Sequence, residues 1–289
     1  MFGIDGLAFQ RLKDRVKRLD DLFMKGLLQL AFERFAKLVY QIAFLFKKKR
    51  LNYTSFLKKK RLDSTSDFKI ETFYQKNCTC TLANLCDIYG TDKGGVCRSK
   101  NQHSHHSYSD FYATLYAHCR NGVMAVFECG IGTTDPEIPS NMGKNGSPGA
   151  SLRVWRDYFP NAQIFGADID RSVLFEENRI KTFYLNQLVP NSIINYWQQV
   201  RVDNFDLMVD DGLHTFEAGS TLFTHSIDKL ASHGIYVIED VFPSDLLKYR
   251  DFFQGTSYHV EFVCLNRPNM SLSDNSLVVI RKPQVSFQG

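Results

Sequence analysis

The stretch Phe205-Asp206-Leu207-Met208-Val209-Asp210-Asp211-Gly212-Leu213-His214 is a short apolar run closed by two acids, a glycine turn and a histidine. A second run, Gly234-Ile235-Tyr236-Val237-Ile238-Glu239-Asp240, closes on acids in the same way. Short apolar runs bounded by polar or glycine residues read as buried strands. Carboxylates at the carboxyl ends of neighbouring parallel strands converge on the crevice where open α/β sheets bind ligands. Four acids and one histidine placed there suit a hard-metal site with a base beside it.

Outward from these two strands the pattern alternates. Strands are expected at Val123–Cys129, Ala162–Ile169, Lys181–Asn186, His259–Leu265 and Ser276–Arg281, which with Phe205–Asp210 and Ile235–Glu239 makes seven. Helices are expected over Ser151–Tyr158, Ser192–Gln199 and Thr215–Ala231. Alternation of this kind implies right-handed crossovers and a mostly parallel sheet covered on both faces. The last two strands are close enough in sequence to pair as an antiparallel hairpin.

The turn after the first strand, Glu128-Cys129-Gly130-Ile131-Gly132, has the glycines that let a backbone approach a ligand closely. Asp168 ends the next strand, where an acid can accept hydrogen bonds from both hydroxyls of a ribose. The glycine motif is not a full dinucleotide fingerprint, because the loop Thr134–Pro148 precedes the helix. Asp210 and Asp211 have a structural alternative as caps of the helix near Thr215, but that accounts for one acid and leaves Glu239 and Asp240 unexplained.

The net charge of +4 conceals an asymmetry: residues 1–70 carry 17 Lys and Arg against 7 Asp and Glu, and the remainder carries 18 against 24. Leu22–Phe46 is apolar and helix-forming, and the knots Lys47–Arg50 and Lys58–Arg61 follow it. Its longest uncharged stretch, Leu38–Phe46, is far below the ~20 residues of a transmembrane helix. An apolar helix beside basic clusters fits an interfacial anchor over residues 22–61, attracted to anionic lipid by ~1 kcal/mol per basic side chain. A helix docked on the body or on a second subunit of a homo-oligomer fits equally. Nucleic acid is disfavoured, because no reading motif accompanies the basic knots and the body is acidic.

The expected organisation is therefore a basic helical arm (1–70), a helical lead-in holding the turn Gly90-Thr91-Asp92-Lys93-Gly94-Gly95 (71–122) and a catalytic domain (123–289). Cys78, Cys80, Cys86, Cys97, Cys119, Cys129 and Cys264 are odd in number, and no cleavable signal peptide is expected before them, because charges begin early and no small-residue cleavage site follows a short apolar core. They read as free thiols of a cytoplasmic protein. Cys78, Cys80, Cys86 and Cys97 with His103, His105 and His106 lack the paired spacing of a zinc site.

Taken in order, Tyr89–Gly94, Tyr108, Glu128–Gly132, Gly149–Trp155, Phe159-Pro160, Ile164–Asp170, Asp210–His214 and Tyr236–Val241 resemble the macrocin and mycinamicin O-methyltransferases and their relatives acting on rhamnose. The resemblance covers roughly residues 80–245. It implies a Rossmann-like, class I S-adenosylmethionine-dependent methyltransferase with a bound Mg2+ ion. By motif position, Asp211, Glu239 and Asp240 would ligate the metal and His214 would be the general base. Glu128, Gly130, Gly132, Ser151 and Asp168 would surround S-adenosylmethionine, with Asp210 adjacent to both sites, and the Gly90–Lys93 turn would contribute to the active-site wall with no contacts assigned. The implied acceptor is a hydroxyl of a sugar, glycan or other small molecule bearing a vicinal diol. The 70-residue arm and the long loop Thr134–Pro148 depart from the family pattern, and beyond Asp240 the match is thin.

Two readings of other classes compete. A dinucleotide-dependent oxidoreductase would use the same crevice, but the interrupted glycine motif opposes it. A membrane-tethered scaffold with a non-catalytic S-adenosylmethionine-binding domain is opposed by the presence of every acid in the two clusters.

Overall fold

The computed structural model describes residues 69–73, 80–94, 106–266 and 273–283. The arm expected over residues 1–70 lies outside these apart from Lys69 and Ile70, and so do Cys78, Cys97, His103 and His105. The described strands are β1 (Lys69–Phe73), β2 (Ala125–Cys129), β3 (Gln163–Asp168), β4 (Glu176–Glu177), β5 (Ile180–Tyr184), β6 (Phe205–Asp210), β7 (Leu230–Ile238), β8 (His259–Asn266) and β9 (Ser276–Arg281). The α-helices are α1 (Thr81–Tyr89), α2 (Tyr108–Tyr116), α3 (Ala150–Tyr158), α4 (Pro190–Val200), α5 (Phe216–Thr224) and α6 (Pro243–Phe253).

The strands form one sheet in the order β1-β8-β9-β7-β6-β2-β3-β5-β4. All seven expected strands are present. β1 and β4 extend the sheet at its two edges, so the seven-stranded expectation becomes nine strands. β9 runs antiparallel between β7 and β8, and the two-residue β4 runs antiparallel to β5. The remaining pairings are parallel.

Apolar side chains cover both faces of the sheet, and the central strands β2 and β6 are buried along their whole length. Val126, Ile164, Leu207, Val209 and Val237 face α1, α2 and α3 through Leu82, Tyr112 and Trp155. Phe127, Phe165, Met208, Tyr236 and Ile238 face α4, α5 and α6 through Tyr196, Trp197, Phe223 and Tyr249.

Two local expectations are corrected. The helix expected over Thr215–Ala231 stops at Thr224, and Leu230 and Ala231 begin β7 instead. An apolar pair fits either period, and pairing of Leu230 with Phe205 decides for the strand. The helix Pro243–Phe253 was not expected, although Pro243 at its first turn and buried Tyr249 and Phe253 on one face are the usual marks of one.

β3 and β5 follow β2 to one side, whereas β6 and β7 lie on the other. The strand order therefore reverses between β2 and β6, and the crevice above their carboxyl ends is the expected ligand position.

Candidate active site

The register brings the strand ends into one layer. Cys129 of β2 pairs with Asp210 of β6, and Asp210 pairs with Ile238 of β7. Backbone bonds continue one residue further: Asp211 N–H donates to Cys129 O at 2.8 Å, and Glu239 N–H to Asp210 O at 2.9 Å. Gly130, Asp211 and Glu239 therefore stand side by side above the sheet.

Gly130 has φ +86°, and a Cβ there would collide with the Asp211 backbone carbonyl. Only glycine allows β2 and β6 to approach this closely as their chains turn away. Asp168 braces the same turn. Its Oδ2 accepts from Ile131 N–H at 3.0 Å, and its Oδ1 from Asp170 N–H at 2.8 Å. Burial pushes the Asp168 carboxyl up to about 6 against those two bonds. Gly132, also left-handed, continues the turn under Met142. Ser151 opens α3 behind it, beside Glu128.

On the β6–β7 side, Asp211, His214 and Asp240 gather their ligating atoms within 4.8 Å of one another. His214 Nε2 lies 3.1 Å from Asp211 Oδ1, and Nδ1 lies 3.4 Å from Asp240 Oδ2. His214 and Asp240 both hold left-handed backbones, with φ 57° and 54°. Non-glycine residues adopt that region at a cost of about 1–2 kcal/mol, and such positions cluster at functional sites. The Gln187 side chain supports the His214 turn: its Oε1 accepts from Leu213 N–H at 2.8 Å, and its Nε2 donates to Asp210 Oδ1 at 2.6 Å.

Glu239 stands apart from that trio. One of its oxygens accepts from the Lys93 ammonium, and the other accepts from the Tyr112 hydroxyl at 2.6 Å. Lys93 Nζ also donates to Asp211 Oδ2 at 2.6 Å and lies 3.2 Å from Glu128 Oε1. Glu128, wholly buried on β2, accepts from Trp155 Nε1 at 2.8 Å through its other oxygen. Asp240 Oδ1 accepts from the Tyr108 hydroxyl at 2.7 Å, with His106 3.5 Å away.

These contacts set the electrostatics. Burial works against ionisation of Asp211, but the Lys93 ammonium and His214 hold its carboxyl well below the usual range. Burial lifts Glu239 well above the usual range, with Asp211 and Glu128 adding to the effect and Lys93 opposing it. Lys93 stays protonated despite its own desolvation, because three carboxylates surround it. Asp210 is fully enclosed beneath the trio, and burial raises it to about 6. Its Oδ2 has no hydrogen-bond partner among the described residues.

The structure thus brings Asp211, His214 and Asp240 into one group and Gly130, Gly132 and Asp168 into an adjacent turn. It turns Glu128 and Glu239 toward Lys93 and leaves Asp210 below. The cap of α5 is Thr215, whose hydroxyl accepts from Ala218 N–H, so neither Asp210 nor Asp211 is needed there. Tyr112 and Gln187 were not anticipated as site residues, Tyr108 was marked only as a motif position, and the Gly90–Lys93 turn was expected in the wall of the site without assigned contacts. The turn containing Lys93 was visible as a motif, whereas two of its partners, Asp211 and Glu239, lie 118 and 146 residues away. The thiols have structural places: Cys80 Sγ caps α1, Cys86 is in the core, and none of the described cysteines is in a disulfide. Among the described residues no helix is long and apolar enough to cross a membrane.

No protein-family model matches the chain. Among curated proteins it is 29% identical over 174 residues to the 8-demethyl-8-alpha-L-rhamnosyl tetracenomycin-C 2'-O-methyltransferase of Streptomyces olivaceus, covering 60% of this chain and 40% of that protein. It is 32% identical over 168 residues to the demethylmacrocin O-methyltransferase of Streptomyces fradiae, covering 57% and 38%. The mycinamicin VI 2''-O-methyltransferase of Micromonospora griseorubida is 30% identical over 161 residues, covering 55% and 36%. The matched region spans about two fifths of the length of these relatives. Among solved structures, MycE methyltransferase of the mycinamycin biosynthetic pathway, in complex with Mg and SAH, superimposes with a TM-score of 0.52 at 24% identity, covering 73% of this chain and 57% of that one. A second MycE structure, which also holds mycinamycin VI, matches with the same score and identity. The chain is thus similar in sequence, over about three fifths of its length, to macrocin- and mycinamicin-type sugar O-methyltransferases, and it shares the Rossmann-like fold of MycE methyltransferase.

Proposed function

We propose that this protein is a Mg2+- and S-adenosylmethionine-dependent O-methyltransferase acting on one hydroxyl of a vicinal diol in a sugar or glycoside. The observation that carries the reading is the Asp211–His214–Asp240 group at the switch point of the sheet, beside the turn braced by Asp168. Its carboxylate-rich donor set suits magnesium, with Glu239 as a further oxygen donor one residue from Asp240. A zinc site would draw on cysteine or several histidines, and none of the described thiols joins the group. The relatives' sugar-hydroxyl activities and the Mg and SAH bound by MycE agree with this assignment.

When bound, the two groups would supply a methyl carbon on a sulfonium, whose C–S bond breaks as the C–O bond forms, and a Lewis acid that lowers the pKa of the acceptor hydroxyl. The protein's own contribution is placement. Asp168 would accept from the ribose hydroxyls, Gly130 and Gly132 would admit the amino-acid end close to the backbone, and Glu128 and Ser151 would line that end. Asp211 and Asp240, with Glu239, would hold the metal. His214 Nδ1 would take the proton of the attacking hydroxyl while Nε2 keeps its bond to Asp211. The imidazolium so formed would sit between two carboxylates that stabilise it, a form of base catalysis worth about 10²–10⁴-fold.

The test is incubation of the protein with methyl-labelled S-adenosylmethionine, Mg2+ and a host extract, read by mass spectrometry. Label is expected on a glycoside hydroxyl and is expected to vanish with chelator or in His214→Ala. Label that persists in both conditions would overturn the reading, as would tight calorimetric binding of NAD and none of S-adenosylmethionine.

A further inference from the structure

Lys93 belongs to neither ligand site as usually drawn, yet it is the cation on which both converge. It is 3% exposed, and its ammonium meets Glu128 of β2, Asp211 after β6 and Glu239 after β7. Among the described residues no other Lys or Arg contacts these acids or Asp240. Its delivery is rigid. Lys93 O accepts from Ser109 N–H at 2.8 Å and Asp92 O accepts from His106 N–H at 2.9 Å, which fastens the turn after α1 to the start of α2. From the same helix the Tyr112 hydroxyl reaches the far oxygen of Glu239.

Three carboxyl groups drawn to one buried point repel one another when ionised and are poorly solvated, so a cation among them, or a proton on one of them, is needed to hold them together. Magnesium is one such cation. The ammonium of Lys93 is another, and it is covalently part of the chain. Extending the proposed metal-dependent reading, we propose that Lys93 is a positioning residue and a built-in counter-ion, which keeps Glu128, Asp211 and Glu239 assembled before a metal binds. The cofactor crevice and the metal acids then share one support, because Glu128 and Asp211 are held by the same nitrogen. The ion pairing also accounts for the way Glu239 faces Lys93 while Asp211 and Asp240 face His214.

The test is thermal melting of the full chain in EDTA and in Mg2+, for wild type, Lys93→Met and Lys93→Met/Glu239→Gln. Wild type is expected to melt somewhat higher in Mg2+ than in EDTA, as binding of the ion requires, and to gain less from Mg2+ than Lys93→Met does. Lys93→Met should melt about 5–10 °C lower in EDTA, and Mg2+ should restore much of the loss. Glu239→Gln in that background removes one of the three crowded acids while keeping an acceptor for Tyr112, and should recover at least half the loss in EDTA. Unchanged melting of Lys93→Met would overturn the proposal, and so would a double variant no better than the single one. If Lys93→Met does not fold, a folded double variant supports the proposal and an unfolded one overturns it. Rescue by Glu239→Gln with no response of Lys93→Met to Mg2+ would keep the counter-ion role and remove the metal reading.

Discussion

His214 Nε2 lies 3.1 Å from Asp211 Oδ1, across a turn that holds His214 itself at φ 57°. The strained backbone aims the ring at Asp211 and Asp240 together, three residues after β6 ends. A histidine used only for packing would not need that conformation, and only 12% of its side chain is exposed. His214→Ala should lower kcat by about 10²–10⁴-fold while leaving the affinity for S-adenosylhomocysteine within error of wild type. Steady-state kinetics alongside calorimetry separates the two quantities. Retained kcat would remove His214 as the base.

Asp211 and Asp240 are within reach of one ion, whereas Glu239 faces Lys93 and Tyr112. Asp211→Asn and Asp240→Asn should each weaken Mg2+ or Mn2+ binding by tenfold or more, because each replaces a charged donor with a neutral one. Glu239→Gln should weaken it by the same order only if Glu239 turns from Lys93 to the ion on binding. Calorimetric titration of Mn2+ into the three variants ranks them directly. Wild-type affinity in both aspartate variants would show that the ion, if bound, sits elsewhere.

Asp168 carries a pH prediction. Its carboxyl is raised by burial to about 6, so below that pH the free protein holds a proton on it. A protonated acid has lost acceptor capacity and cannot serve two ribose hydroxyls while also bonding Ile131 and Asp170 N–H. Ligand binding must therefore expel that proton. Affinity for S-adenosylhomocysteine should rise with pH up to about 6 and then level off. Asp168→Asn should bind more weakly and lose this dependence. Calorimetry between pH 5 and 8 reads the slope, and an identical slope in Asp168→Asn would assign the dependence to another group.

The strands and the acids that close them are legible in the chain because β2, β6 and β7 are buried along the sheet interior and alternate with helices. Asp211, Glu239 and Asp240 could be placed at strand ends without coordinates. The edge strand β1 could not, since its partner β8 lies some 190 residues downstream and its own pattern is short. Nor could the division of labour among the acids. Whether Glu239 faces a metal or an ammonium depends on Lys93, 146 residues away, and on which side of β7 the α2 tyrosines pack. Periodicity reports the face on which a residue lies, whereas the partner it meets there is set by tertiary packing.

Asp210 offers a test of what the site costs in stability. It is 3% exposed, its Oδ1 accepts from Gln187, and its Oδ2 has no hydrogen-bond partner among the described residues. Its folded-state carboxyl is raised from 3.8 to about 6, so the folded protein keeps a proton that the unfolded chain releases. The contribution is fully present below about pH 4 and is lost as pH rises through about 6. At pH 8 the loss is about 2–3 kcal/mol. Asp210→Asn has the same shape, keeps an acceptor for Gln187 and carries no charge. Urea unfolding should find it about 2–3 kcal/mol more stable than wild type at pH 8 and nearly equal at pH 4. Asp168 shifts with pH in both proteins and cancels in the difference. Equal stability at pH 8 would mean that the Asp210 carboxylate is solvated or paired in a way the buried geometry does not provide.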